Sequence, residues 1–149
     1  MTRIDFYILP GSEHPDRLLF LCRLVAKAYK QQHRVYIHTD DEATSKSIDE
    51  LLWSHQAESF IPHHLSTSTA PPAAITIGHS DECLKNAGHH NDVIINLATE
   101  IPNSFSRFER CIEIVIQQPH VLEITRNHFG FYRERGYPLN THDRRKVAK

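Results

Sequence analysis

The chain has 149 residues, 40% of them hydrophobic and 23% charged, with a formal net charge of -1. A domain of this size buries roughly two-thirds of the surface its unfolded chain exposes, so neither disulfides nor a structural metal are needed to hold it. The near-neutral balance argues against direct, sequence-independent gripping of nucleic-acid phosphates, which calls for a basic stripe and a strongly positive charge.

Arg3 to Leu9 (RIDFYIL) reads as a first strand, apolar on both faces as in a sheet covered by helices on each side. Pro10-Gly11-Ser12 breaks it. From Pro15 to Gln32 the residues Leu18, Leu21, Cys22, Val25 and Ala28 recur at helical spacing, and Pro15 suits a first-turn position. Arg34 to Thr39 is a second strand, rich in β-branched and aromatic residues. Asp40-Asp41-Glu42 then places negative charge where a helix N-terminus favours it, and the helix runs to Trp53 with Thr44, Ile48, Leu51 and Leu52 near one face. Strand, helix, strand, helix with short links predicts a mostly parallel sheet with right-handed crossovers.

Ser59 to Pro62 suggests a short strand, and Ser66 to Pro72 (STSTAPP) a loop. Ala74 to Gly78 and Asp92 to Ala98 are further strands, separated by a polar, loop-like stretch from His79 to Asn91. Ser104 is placed to cap a short helix through Arg110, ahead of a strand from Cys111 to Ile116. A final helix spans Pro119 to Arg135 and is stopped by Gly136. Residues 1–140 thus form one α/β domain, and 141–149 (THDRRKVAK) a basic, frayed tail.

Chemistry is hard to find in this pattern. The first strand-to-helix turn holds one glycine, Gly11, where a dinucleotide fold needs several, and Glu13 beside it repels phosphate. There is no phosphate-binding G-x-x-x-x-G-K-[ST] loop and no G-x-S-x-G elbow. Twelve histidines include the pairs His63-His64 and His89-His90, but adjacent side chains in an extended segment point apart and rarely share a metal. They read as solvent-exposed loop histidines. Cys22, Cys83 and Cys111 are widely spaced, which fits buried reduced thiols. No catalytic residue, cofactor or metal is expected. The N-terminus lacks an apolar run before Asp5 and no stretch is long enough to span a membrane, so a cytoplasmic location is expected.

Two surface candidates remain. Trp53, at the end of a helix, and Phe60 bracket the segment Ser54 to Ser59 and are either partner anchors or residues that close the core. Arg126, Phe129 and Arg133 follow i, i+3, i+7 spacing and form one stripe on the last helix. An aromatic between two arginines suits a peptide ending in an apolar residue and a carboxylate; the alternative is an ordinary amphipathic helix with Phe129 in the core.

Taken together these residues resemble the chi subunit family of bacterial DNA polymerase III. The likeness runs along most of the chain: Phe6-Tyr7-Ile8-Leu9, Arg34-Val35, Leu52-Trp53-Ser54, Ala57 to His63, Asp92 to Leu97, and Arg133, Gly136-Tyr137 and Leu139-Asn140-Thr141. The segment from Trp53 to His63 is the most specific part. The resemblance implies a Rossmann-like fold without a nucleotide site, and a replisome adaptor without catalysis. It implies that Trp53 and Phe60 face the psi subunit of the clamp loader. It also implies that Val115, Arg126, Phe129, Tyr132 and Arg133 lie in or near a site for the acidic C-terminal tail of single-stranded DNA-binding protein, which ends in Pro-Phe. Contact with DNA is then delegated to that partner. This chain departs from the family pattern at Gly130, where a lysine is expected. The competing readings are a small nucleotide-handling α/β enzyme and, more remotely, a histidine metal module.

Overall fold

Seven parallel strands carry the fold in the computed structural model, which describes residues 2–55, 63–65, 75–79 and 92–145, with the side chains of 53–55 and 63–65 left aside. The strands are β1 (Arg3–Ile8), β2 (Val35–His38), β3 (His63–Leu65), β4 (Ile75–Gly78), β5 (Val93–Asn96), β6 (Arg110–Val115) and β7 (Leu139–Asp143). They lie in the order β3-β4-β2-β5-β6-β1-β7, and every pairing is parallel. The helices are α1 (His14–Lys30), α2 (Glu42–His55) and α3 (Pro119–Glu134), with a short 3-10 turn over Asn103–Arg107.

Strand alternation sorts the apolar runs into two layers. Val35, Ile37, Ile75, Ile77, Val93, Ile95, Ile112 and Ile114 face α1 and α2, where they meet Leu21, Cys22, Val25, Ile48 and Leu52. Ile4, Phe6, Tyr36, Ile94, Cys111 and Val115 face the other way, toward α3 and the 3-10 turn, and pack with Phe105, Phe108 and Tyr132. The sheet is thus covered on both sides, which is why its strands read as continuous hydrophobic runs. Helix α2 turns Ser45, Ile48 and Leu52 inward, while Thr44 is exposed, one residue off the expected face. Asp41 caps α2 by accepting the Thr44 N–H at 2.7 Å. Helix α3 ends as predicted: Gly136 has φ +76°, and the Tyr137 N–H reaches back to the Tyr132 carbonyl at 3.1 Å.

Two expectations are corrected. Ser104 does not cap a helix through Arg110: a single 3-10 turn follows Pro102, and Arg110 already opens β6, because Phe105 and Phe108 must both reach the α3-side core. The domain boundary expected after Asn140 falls inside β7. There the chain adds an edge strand to β1, held by the Arg144 N–H on the Ile8 carbonyl at 2.8 Å and by His142 Nε2 at 3.1 Å from Asp5 Oδ1. His142 also stacks on Tyr7 at 4.4 Å between centroids. The short strand expected at Ser59 to Pro62, the loops at 66–72 and 80–91, and residues 146–149 lie outside the described residues.

Candidate functional site

A cleft of about 320 Å³ opens where α3 leaves the β1–β7 edge of the sheet uncovered; it is lined by Phe6, Ile8, Val115, Leu122, Thr125, Arg126, Phe129 and Thr141. Its floor comes from β1 and β6, its wall from α3 and its far rim from β7. Sequence spacing explains the wall: Leu122, Arg126 and Phe129 share one face of α3, while Val121, Thr125, His128 and Tyr132 are the buried positions. Phe129 is half-buried, with its ring edge-on to Phe6 at 5.2 Å and 70°, so floor and wall meet in an aromatic pair. Arg126 is exposed at the rim, and among the described residues no carboxylate pairs with it. An apolar slot with one uncommitted guanidinium can take an apolar group that carries a carboxylate.

The expected site residues do not all share this surface. Val115, Arg126 and Phe129 line the cleft, whereas Tyr132 is fully buried beneath it and Arg133 is exposed farther along α3, outside the lining. A methyl group added at Gly130 would meet nothing within 4 Å, so packing does not demand a glycine there and a longer side chain has open space. Of the other surface candidate, Trp53 lies in the last turn of α2 with its side chain not described, and Phe60 lies outside the described residues.

Under α3 sits a polar cluster that sequence reasoning passed over. Glu113 is wholly buried on β6. Its Oε2 accepts from Asn96 Nδ2 at 2.9 Å and from the Tyr132 hydroxyl at 2.8 Å, and His128 Nδ1 lies 3.1 Å from Oε1. Asn96 is the in-register neighbour of Glu113, so the pair is set by the β5–β6 ladder itself. The other ring nitrogen of His128 faces the Thr99 carbonyl at 2.7 Å, so both nitrogens meet acceptors and the doubly protonated ring satisfies both. Burial disfavours that charge, but the hydrogen bond and negative charge of Glu113, with the Thr99 carbonyl, outweigh it and raise the His128 pKa. Burial and the same carboxylate push the Tyr132 hydroxyl and the Cys111 thiol upward. Of the histidine pairs expected in exposed loops, His63 and His64 lie in β3 and His89 and His90 lie outside the described residues, while His128 and His38, within a predicted helix and strand, are buried. The available signal was Glu113, a charged residue in the middle of the apolar run CIEIVI. Cys22 and Cys111 are buried free thiols, as expected, with burial moving Cys22 up to about 11.

Residues 1–140 match the family described as "DNA polymerase III chi subunit, HolC". The chain belongs to that family. It is 41% identical over 143 residues to the DNA polymerase III subunit chi of Pseudomonas aeruginosa, an alignment covering 95% of this chain and 96% of that one. The subunit chi of Escherichia coli is 27% identical over 146 residues, covering 95% and 97% of the two chains, and that of Haemophilus influenzae 30% over 138 residues, covering 92% and 94%. The chi family is one of accessory subunits of DNA polymerase III, and its role is in DNA replication.

In this chi-family chain the places where a doubly wound fold holds a nucleotide present its own carboxylates. At the start of α1, Asp16 Oδ2 accepts the Glu13 N–H at 3.1 Å, and a methyl group added at Gly11 would collide with the Asp16 carboxylate. At the carboxyl ends of β2 and β5 lies a second cavity of about 320 Å³, bordered by His38, Thr39, Asp40, His79, Ala98 and Glu100 among others. Asp40 clamps it by accepting the Thr99 N–H at 2.8 Å and hydroxyl at 3.0 Å. Two carboxylates at its border oppose a phosphate. Among the described residues no group of three or more His, Cys, Asp or Glu could hold a metal ion, and no helix is long and apolar enough to cross a membrane.

Proposed function

We propose that this chi-family chain is a non-catalytic replisome adaptor in the cytoplasm. It joins the DNA polymerase III clamp loader through the psi subunit and captures the acidic C-terminal tail of single-stranded DNA-binding protein. The observation that carries the reading is the cleft between α3 and β1, apolar in its floor and wall and rimmed by Arg126, which pairs with no carboxylate among the described residues. A terminal Pro-Phe fills a slot formed by Phe6, Val115, Leu122 and Phe129, and the free carboxylate meets the Arg126 guanidinium bidentately. Arg133 adds positive potential along the same helix for the acidic residues that precede the terminus. Tyr132 acts from below, fixing the helix that carries Phe129. Psi binding through Trp53 and Phe60 is supported by the family likeness at Leu52-Trp53-Ser54 and Ala57 to His63.

Reading the chain as a nucleotide-handling enzyme finds no support at the α1 turn, where Asp16 takes up the amide and the space a phosphate would need. Calorimetric titration with an acidic peptide ending in Pro-Phe tests the adaptor reading. Micromolar binding that weakens with salt and disappears when the terminal carboxylate is amidated is the expected result. Arg126→Ala is expected to lose roughly 10- to 100-fold in affinity, the value of a charge-assisted hydrogen bond, without a change in unfolding. Full affinity in that variant would move the site elsewhere.

A further inference from the structure

The strand that forms the rim opposite α3 is followed directly by basic residues. Thr141 lines the cleft, and on the β1–β7 ladder Thr141 lies opposite Phe6 and Asp143 opposite Ile8, both Phe6 and Ile8 being cleft residues. Side chains alternate along a strand, so Asp143 stands on the same face as Thr141. His142 between them turns to the other face, against Asp5 and Tyr7, and the Arg144 guanidinium follows it, over the Tyr7 and Phe20 rings. Arg145, beyond the strand end, folds back onto Asp143. Its main-chain N–H donates to Asp143 Oδ1 at 3.0 Å, its Nε to the same oxygen at 2.9 Å, and its Nη2 to Asp143 Oδ2 at 2.7 Å. The guanidinium fork is thus closed on a carboxylate one ladder position from the cleft floor.

We propose that Arg145 is a second carboxylate-binding group of this cleft, taking an acidic side chain upstream of the docked C-terminus, and that Asp143 is a built-in competitor for the same fork. The proposal rests on the reading of the cleft as a site for an acidic C-terminal peptide. Among the described residues Arg126 is the only basic one in the cleft lining, and Gly130 adds none from α3. A peptide with several acidic residues needs further cations, and those nearest along β7 follow directly after Asp143. The exchange is chemically even: one bidentate carboxylate replaces another, at a pair whose side chains are 46% and 32% exposed and so can rearrange in water. Until it is displaced, Asp143 both occupies the fork and sets a negative charge beside the incoming acid. Affinity therefore depends on Asp143 and Arg145 in opposite directions, a signature that a merely structural ion pair does not give.

The test is titration of the intact chain at low salt with an acidic peptide ending in Pro-Phe, using Arg145→Ala, Asp143→Asn and Arg126→Ala. Arg145→Ala is expected to weaken binding and Asp143→Asn to strengthen it, each by roughly two- to fivefold as for rim charges. Both effects are expected to vanish with a peptide whose acidic side chains are replaced by amides while its terminal carboxylate is kept. If neither variant changes affinity while Arg126→Ala remains damaging, the proposal fails and the cleft reading stands. If Arg145→Ala and Asp143→Asn both weaken binding, the pair merely shapes the strand end and the proposal also fails. Binding that is absent in the unaltered chain, or indifferent to Arg126→Ala, overturns the cleft reading itself.

Discussion

Removing one oxygen atom, in Tyr132→Phe, separates what holds α3 from what binds at its surface. The ring is fully buried, with Phe105 at 5.3 Å and Phe6 at 6.0 Å in edge-on contact, so phenylalanine fills the same space. What disappears is the hydroxyl that donates to Glu113 Oε2 at 2.8 Å and lies 3.5 Å from Cys111 Sγ. Glu113 is 0% exposed, and beyond this hydroxyl its carboxylate keeps, among the described residues, Asn96 at 2.9 Å and His128 at 3.1 Å. A hydrogen bond to a charged group contributes about 1.5–3 kcal/mol, and a buried carboxylate cannot replace the lost donor with water. Because the hydroxyl's own burial cost is also relieved, the net loss should be about 2 kcal/mol. At roughly 3 °C per kcal/mol for a chain of this length, that lowers Tm by about 6 °C. Urea denaturation with parallel calorimetry reads both numbers. Peptide affinity should stay within about twofold at a temperature where the variant is folded, since the hydroxyl points into the β5–β6 cluster and not into the cleft. A loss under about 0.5 kcal/mol would refute the claim that Glu113 depends on this donor, and a drop in affinity at full folding would place Tyr132 in the recognition surface.

Gly130→Ala should stabilise the chain by up to about 1 kcal/mol in urea denaturation, because a mid-helix glycine costs that much and its methyl meets no neighbour; Gly130→Lys should in addition tighten peptide binding at low salt. The raised pKa of His128 means that the native state holds its proton more firmly than the unfolded chain. Its contribution is therefore fully present below the unfolded value near 6.5 and is lost as pH rises through the folded value, so the urea midpoint should fall from pH 6 upward, more in the unaltered chain than in His128→Gln. Equal slopes in the two proteins would refute that assignment. At the other end of the scale, burial opposes ionisation of Asp5, but hydrogen bonds from Arg110 and His142 outweigh it and lower its pKa. That contribution is present above the ordinary carboxylate value and disappears as pH falls through the folded one, so His142→Ala should cost about 1 kcal/mol at pH 7 and show the smaller further loss on acidification.

Much of the framework is legible in the residues. Strands β1, β2, β4, β5 and β6 are short apolar runs, and α1, α2 and α3 show helical spacing, because burial on two faces or on one stripe leaves a periodic imprint. The parallel order follows from the strand–helix alternation of the first half. Half of the cleft is visible as well: Arg126 and Phe129 are neighbours on one helix, and helix geometry alone brings them together. β7 left no such imprint. Its residues Leu139–Asp143 alternate without an apolar face, and what orders them is the open backbone edge of β1 together with the Asp5–His142 and Tyr7–His142 contacts.

From the sequence alone come the α/β class, the run of parallel elements, the arginine–aromatic stripe and the family likeness, since all of these depend on residues close in the chain or on the order of elements. Tertiary structure alone decides that Val115, Phe6 and Ile8 form the floor beneath that stripe, that Tyr132 turns inward to Glu113, and that Asp143, paired with Arg145, comes to lie opposite Ile8. Each of those contacts joins elements far apart in sequence. Their meeting is set by strand register and by where α3 crosses the sheet, and no local pattern of residues records either one.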